Sequence, residues 1–465
     1  MKFCCRTGKV WGMKIDFEQA SREELIEFIK ELLVRLQALE VRSQELEAEN
    51  ERLRSGGEKK GPPPPWVKPN RPLTGEKQKR KKRNRGYGRK REEPTKVIEH
   101  AIEACPQCHV PLCGGREVSR RQVIDLPPVK VEVVDHVVVE RLCPQCEKQW
   151  RPQVELSSEV VGEQRFGIGL QTEVAVLRER MRLPFRSIKD YLKLRYGLDV
   201  SVGELVNLAH GVAQRGRAAY LSLEAQIKES AVIYGDETGW RENGRNGYLW
   251  SFSTPLSRYY LFRPTRAASV VREVIGEEFE GVLVSDFYAA YNIHEGRHQR
   301  CWVHLLRDIH ELKEEHATNA EVVEWSQAVR AVYDKAKAYA GPSAGLTEVE
   351  QHAKRVAQQH VFEQELMKVC APYLKTQQPM SVLCRRVERF LPEMFMFVAD
   401  PRVAPDNNAA ERSLRGPVVS RKISGGTRSR QGSETKSVLT SLFGTWQLSG
   451  LDVYQACRHI LAAPS

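Results

Sequence analysis

The chain has 465 residues, and at a prior of about 150 residues per domain this excludes a single small module. Hydrophobic residues make up 41% and charged residues 28%, enough for packed cores, while a mean hydropathy of -0.49 requires part of the chain to be polar and extended. The formal net charge is +12, and ten cations with no acid fall between Lys77 and Arg91, so the basicity is a local device. Eleven cysteines, four of them in two Cys-x-x-Cys pairs, point to a reducing compartment and a metal and away from a disulfide framework. The first residues lack the apolar core of a leader, and no run approaches the roughly 20 apolar residues that span a bilayer. A cytoplasmic location and no membrane role are expected, with Met13, which opens an acidic helix-forming run, as the expected natural start.

Residues 13–54 are expected to form a coiled coil. Leu25, Ile29, Leu32, Leu36, Leu39, Leu46 and Leu53 recur at spacings of four and three, and the polar Ser43 and Asn50 fall on core positions, where they fix register in a parallel homo-oligomer. The same stripe, widened by Ile26, Phe28 and Leu33, also fits a helix lying on the chain's own body. Ser21 and Glu24 predict a capping box at its start. Residues 55–95 hold a proline-rich spacer and then the basic arm, in which Lys79, Arg80, Lys81, Lys82 and Arg83 are suited to DNA phosphates.

Residues 96–152 contain Cys105-Pro-Gln-Cys108 and Cys143-Pro-Gln-Cys146, separated by 34 residues. Two turns with two thiolates each can close a tetrahedral Cys4 zinc site (Zn²⁺), which gives folding energy to a piece too small for its own core. His109 and Cys113 are bystanders in this reading, and the β-branched run VKVEVVDHVVVERL reads as a strand or hairpin arm. Residues 165–229 are helical. One helix ends at Gly197 and Ser201 caps the next, a pattern that fits a DNA-binding helix-turn-helix and ordinary helical packing alike.

From residue 230 to 312 the period changes to short aromatic and β-branched strands in the order β-β-β-α-β, the opening of a ribonuclease-H-like (RNase-H-like) fold. Asp236 ends the first strand and Asp286 the fourth, strands that are parallel neighbours in that fold. Mg²⁺ (or Mn²⁺) takes oxygen ligands, and two aspartates with a third acid can hold two such ions for phosphodiester chemistry. Glu411, early in a helix that Asp406 can cap, is the expected third acid, with Arg412 and Arg415 beside it for DNA phosphates. Glu237 is the nearest rival to Asp236, but strand alternation turns it to the opposite face.

Taken in order, the coiled coil, basic linker, paired CPQC turns, RLPFRSIKDYL, YGDETGW, VSDFYAAY, CWVHLLRDIHEL and DNNAAERSLR resemble the large transposase of the insertion-sequence-66 family, a bacterial DDE transposase. The resemblance implies a multidomain α/β protein: an RNase-H-like catalytic fold (230–312 and 401–465) with an all-helical insertion (313–400), preceded by the coiled coil, the zinc module and the helical DNA-binding region. It implies Asp236, Asp286 and Glu411 as the DDE triad, element ends (terminal inverted repeats) and target DNA as partners, and small accessory proteins of the same element. Cys301 and His304 resemble a Cys-x-x-His signature of several DDE groups, for which a structural or DNA-positioning role is expected over metal binding. The stretch after Glu411 is more polar than the family pattern leads one to expect. A zinc-containing regulator with a relic fold, or an RNase-H-like nuclease that cuts without joining, are the rival functions.

Overall fold

A computed structural model describes residues 8–10, 13–15, 21–55, 92–126, 129–342 and 345–463. They fall in two units, Met1–Ile124 and Asp125–Ser465. In the first, β1 (Gly8–Val10) and β2 (Met13–Ile15) pair antiparallel, and helix α1 (Arg22–Ser55) follows. Its start is the predicted capping box: Ser21 N donates to Glu24 Oε2 at 2.8 Å and Glu24 N to Ser21 Oγ at 3.2 Å. These bonds hold the Glu24 carboxyl below its ordinary range. Ile29, Leu36 and Leu39 of the predicted seam are exposed. The basic arm with Lys79, Arg80, Lys81, Lys82 and Arg83 lies outside the described residues.

The second unit begins with a correction. The β-branched composition of residues 130–140 predicts a strand, yet only β3 (Arg141–Leu142) pairs, with β4 (Gln149–Trp150), and Val133 and Val137 are exposed. β-Branched residues favour an extended backbone, but a strand also needs a partner for its N–H and C=O groups. Four helices follow: α2 (Ile168–Glu179), α3 (Phe185–Tyr196), α4 (Val202–Arg215) and α5 (Arg217–Lys228). α3 ends at Gly197, at φ 69°, and the Ser201 side chain caps α4 by accepting from Glu204 N at 3.1 Å. Ile188, Leu192, Leu205 and Leu208 pack between these helices.

Strands β5 (Val232–Glu242), β6 (Arg245–Ser253) and β7 (Arg258–Arg263) form an antiparallel meander, and after α6 (Ser269–Ile275) come β8 (Val282–Ser285) and β9 (His298–Arg300). The sheet order is β7-β6-β5-β8-β9, with β5–β8 and β8–β9 parallel. All four residues of β8 are buried, as a strand covered on both faces requires. A helical segment follows: α7 (Trp302–Glu315), α8 (Ala320–Ala338), α9 (Glu348–Cys370), α10 (Ser381–Phe390) and α11 (Met396–Ala399). It has its own core, in which Trp302, Trp325, Phe362 and Phe395 meet. The chain then returns to the sheet through α12 (Asn408–Ser424), α13 (Arg430–Leu448) and α14 (Val453–Ala462).

The sheet edge at β7 is closed by hydroxyls. Ser437, Ser441 and Thr445 of α13 accept from the N–H groups of Phe262, Tyr260 and Arg258 at 3.0, 2.8 and 3.0 Å. Four helical residues rise about 6 Å and two strand residues about 6.8 Å, so one helix face matches every second amide of the strand. An open edge is thereby covered without a further strand.

Candidate active site

Strand pairing sets the two aspartates level. Tyr234 of β5 lies opposite Val284 of β8, and Asp236 and Asp286 each follow two residues later, on the same face as their predecessors. Glu411 comes from the first turn of α12. Asp236 is the perturbed acid: burial above all, then the charge of Glu237 and, more weakly, those of Asp286 and Glu411, push its carboxyl up to about 7. Asp236 Oδ1 accepts from Glu237 N at 2.8 Å, and Asp286 Oδ1 from Tyr288 N at 2.9 Å, which fixes one oxygen of each.

Asn407 ties α12 to this row. Its Nδ2 donates to Gly235 O at 2.7 Å, directly before Asp236, and its backbone N donates to Cys301 Sγ at 3.2 Å. Asp406 assists by accepting from Asn408 N at 3.1 Å, although the cap position itself belongs to Asn407. Cys301 is fully buried, and burial pushes its thiol up to about 11. His304 lies on α7 with Nδ1 3.8 Å from Glu411 Oε1. Candidate ligand atoms of Cys301, His304 and Glu411 lie within 4.8 Å of one another.

The donor set fits a divalent cation. His304 Nδ1 and Glu411 Oε1 are buried without a hydrogen-bond partner, and a cluster of like charges around Asp236 calls for positive charge. Glu237 does not join it. Its carboxylate accepts from Arg266 Nε at 2.7 Å and from Tyr291 Oη at 2.6 Å, so its own hydrogen bonds are met by other partners, although its charge still weighs on Asp236. Tyr291 approaches so closely that a Cβ at Gly235 would meet its ring at 2.9 Å, which explains the glycine before the aspartate.

Asp286 is anchored from behind by a buried polar network that sequence reasoning missed. Arg300, fully buried, donates to Asp286 O at 2.9 Å and Asn292 Oδ1 at 2.7 Å, and pairs with Glu393. His298 Nε2 lies 2.8 Å from Ser285 Oγ. Glu393 also lies 3.4 Å from His298 Nδ1, but burial and the Arg300 charge prevail and keep His298 well below its ordinary pKa. The signal for this network was the polar β9 itself, since buried charged residues must be paired.

The two cysteine turns match each other. Cys105 N donates to Val110 O and Cys143 N to Lys148 O, both at 2.9 Å, and His109 N and Glu147 N return to the cysteine carbonyls, also at 2.9 Å. His109 and Glu147 have φ of 56° and 53°. Bonds from backbone N–H groups within each turn, led by those of Cys108 and Cys146, hold the Cys105 and Cys143 thiols below their ordinary range. Arg412 and Arg415 are exposed on α12.

Two aspartates at the ends of parallel neighbouring strands, and a glutamate from a returning helix whose charge reaches one of them, are oxygen donors of the kind a divalent cation takes. Residues 163–435 match the model of the Transposase IS66 family, and the chain belongs to that family. Two relatives from Sinorhizobium fredii are similar to it, each bearing only the name of an uncharacterized protein. One, y4qI, is 27% identical over 61% of this chain, and the other, y4jD, 25% identical over 78%. The chain spans 58% of the length of the first and 75% of the second. Among the described residues no helix is long and apolar enough to cross a membrane.

Proposed function

We propose that the chain is a DDE transposase that binds the ends of its own element, cleaves a DNA strand at each and joins the freed 3′ end to target DNA. The observation that supports this is the placement of Asp236 and Asp286 at the level ends of two parallel neighbouring strands, with Glu411 near enough for its charge to weigh on Asp236 and its Oε1 buried without a hydrogen-bond partner. The sheet order and the parallel β5–β8 pair support an RNase-H-like fold, interrupted by the helical insertion. Asp236, Asp286 and Glu411 would hold Mg²⁺ or Mn²⁺. Bound there, the cation activates the attacking oxygen and stabilises the leaving one. In cleavage water attacks the scissile phosphorus and the 3′-oxygen leaves; in joining, that 3′-oxygen attacks a target phosphodiester and displaces its 3′-oxygen. Asn407, Cys301 and Arg300 position the acids, and His304 lies beside Glu411 to orient it.

Around this centre, α1 pairs copies of the chain through its exposed seam so that two ends are held together. The basic arm contributes phosphate contacts, and the α3–α4 pair reads the ends as a helix-turn-helix. Each cysteine turn offers two thiolates to structural zinc, Cys105 and Cys108 in one and Cys143 and Cys146 in the other. Accessory proteins of the same element complete the machinery.

The test is incubation of wild type and Asp286→Asn, with the accessory proteins, Mg²⁺ or Mn²⁺, and DNA carrying the element ends. Nicks at the repeat boundary and joined products from wild type alone, with binding retained in the variant, are expected. Cleavage by Asp286→Asn would overturn the triad. Cleavage without joining would leave a nuclease, and binding without any cleavage a regulator with a relic fold.

A further inference from the structure

A second concave site borders α12, the helix that carries Glu411, and its chemistry is unlike that of the carboxylates. Arg180 and Arg182, just past α2, Arg258 at the start of β7, and Arg412 and Arg415 of α12 line one cleft of about 360 Å³. Among the described residues its only acid is Glu179, whose side chain is buried and already accepts from Lys436 Nζ at 2.7 Å and Thr440 Oγ1 at 3.1 Å. None of the five guanidiniums forms an ion pair among the described residues.

Such a concentration of like charge is unfavourable without a counter-charge, and the surrounding structure holds it in place. Arg258 Nη1, in the same cleft, is buried with no hydrogen-bond partner. Arg182 sits at φ 61°, a left-handed backbone rare for a residue with a side chain, and this turn sets it against α12 beside Gly416. The floor is rigid: Pro417 lacks the N–H that would take the Ser413 carbonyl, and Tyr260 Oη donates to that carbonyl at 2.8 Å. Lys436, in the wall, has its ammonium destabilised chiefly by burial and further by Arg178 and Arg182, against the pull of Glu179.

Planar guanidiniums from three separate parts of the chain, facing one opening, suit the oxyanions of phosphate. We propose that this cleft is a phosphate-binding track for duplex DNA, engaging the backbone next to the strand at the carboxylates. The assignment rests on the transposase reading for its DNA, and continuity supports it: Arg412 and Arg415 follow Glu411 within about 6 Å along the α12 axis, so a strand at Glu411 runs on over the cleft. Sequence reasoning singled out Arg412 and Arg415; Arg180, Arg182 and Arg258 join them only through the fold.

The experiment measures affinity for a labelled duplex by fluorescence anisotropy across a salt series. It compares wild type, Arg180→Gln/Arg182→Gln, and a charge-matched control, Arg330→Gln/Lys335→Gln, on α8. Circular dichroism and melting verify the fold of each. Removing one cation that pairs with a phosphate lowers the slope of log affinity against log salt by about one, so the cleft variant is expected to show a slope lower by about two and to bind at least about tenfold more weakly at physiological salt. The control should match wild type. A cleft variant that binds like the control overturns the proposal, as does a wild type that binds no DNA. If inorganic phosphate at matched ionic strength raises the melting temperature of wild type alone while DNA affinity is equal in all three, the cleft takes a small phosphate and the DNA assignment falls. Cleavage at element ends is scored separately: cutting by wild type with undiminished binding and cutting in the cleft variant sinks only the cleft, and cleft-dependent binding without cutting sinks only the transposase.

Discussion

Replacing Asn407 separates holding the fold together from aiming the site. Its side chain is 1% exposed and donates to Gly235 O at 2.7 Å, so Asn407→Ala removes a buried bond and leaves a carbonyl without its partner. That costs about 1–3 kcal/mol of stability, felt as a melting shift of a few degrees. The effect on cleavage should be much larger. Gly235 precedes Asp236, and Asn407 is the last residue before the helix that carries Glu411, so this bond sets the separation of two acids. A misplacement of about 1 Å at a reacting centre costs about 10²-fold in rate. The assay is strand cleavage of element-end DNA well below the melting temperature, at saturating Mg²⁺, beside a binding curve. Cleavage about 10²-fold down with unchanged DNA affinity is expected. A variant that melts lower yet cleaves within about threefold of wild type would show that Asn407 only staples the fold, and the positioning argument would be wrong.

Ser441→Ala, at the centre of the hydroxyl row on β7, strands the buried Tyr260 N–H and should cost about 1–3 kcal/mol in urea unfolding; a midpoint equal to wild type would refute the edge-closing role. His298 is kept neutral by burial, with its folded pKa below the ordinary value near 6.5, so the unfolded chain binds more protons below that pH. Its contribution is therefore present above about pH 6.5 and lost as pH falls below it, and melting should drop more steeply on acidification in wild type than in His298→Gln; parallel curves would dismiss the effect. For the cysteine turns, metal analysis should find zinc in wild type and lose it in Cys105→Ser and in Cys143→Ser, whereas zinc retained in both would remove the ligand assignment.

What the sequence carried in local pattern was legible. The capping box at Ser21, the Gly197 break, the Ser201 cap and the strand order around Asp236 and Asp286 depend on near neighbours and on period. What depended on distant partners was not. β9 reads His298-Gln299-Arg300, too polar for a buried strand by composition. Its burial becomes possible because Gln299 Nε2 donates to Met394 O at 3.0 Å, Gln299 Oε1 accepts from Phe397 N at 3.0 Å, and Arg300 meets Glu393. Asp406 reads as the cap of α12, whereas the side chain of its neighbour Asn407 reaches across to a strand 172 residues away. The hydroxyls of α13 are a further case: Ser437, Ser441 and Thr445 serve an edge strand, a use invisible until α13 and β7 are adjacent.

These long-range contacts share a direction. Three carboxylates near one another repel, and nothing about their mutual interaction would gather them in the metal-free protein. Their placement is imposed from outside the cluster, by Asn407 on the Gly235 carbonyl, Arg300 on the Asp286 carbonyl and the Tyr288 amide on the Asp286 carboxylate. Each acts through a backbone group or a single oxygen, which leaves carboxylate lone pairs for a cation. The helical segment after β9 enters this scheme as well, because Glu393, within the expected insertion, holds Arg300, and His304, on α7 just before that insertion, lies 3.8 Å from Glu411. An insertion that supplies such supports is part of the site's construction, and changes deep in its core should reach the acids through Arg300 and α7.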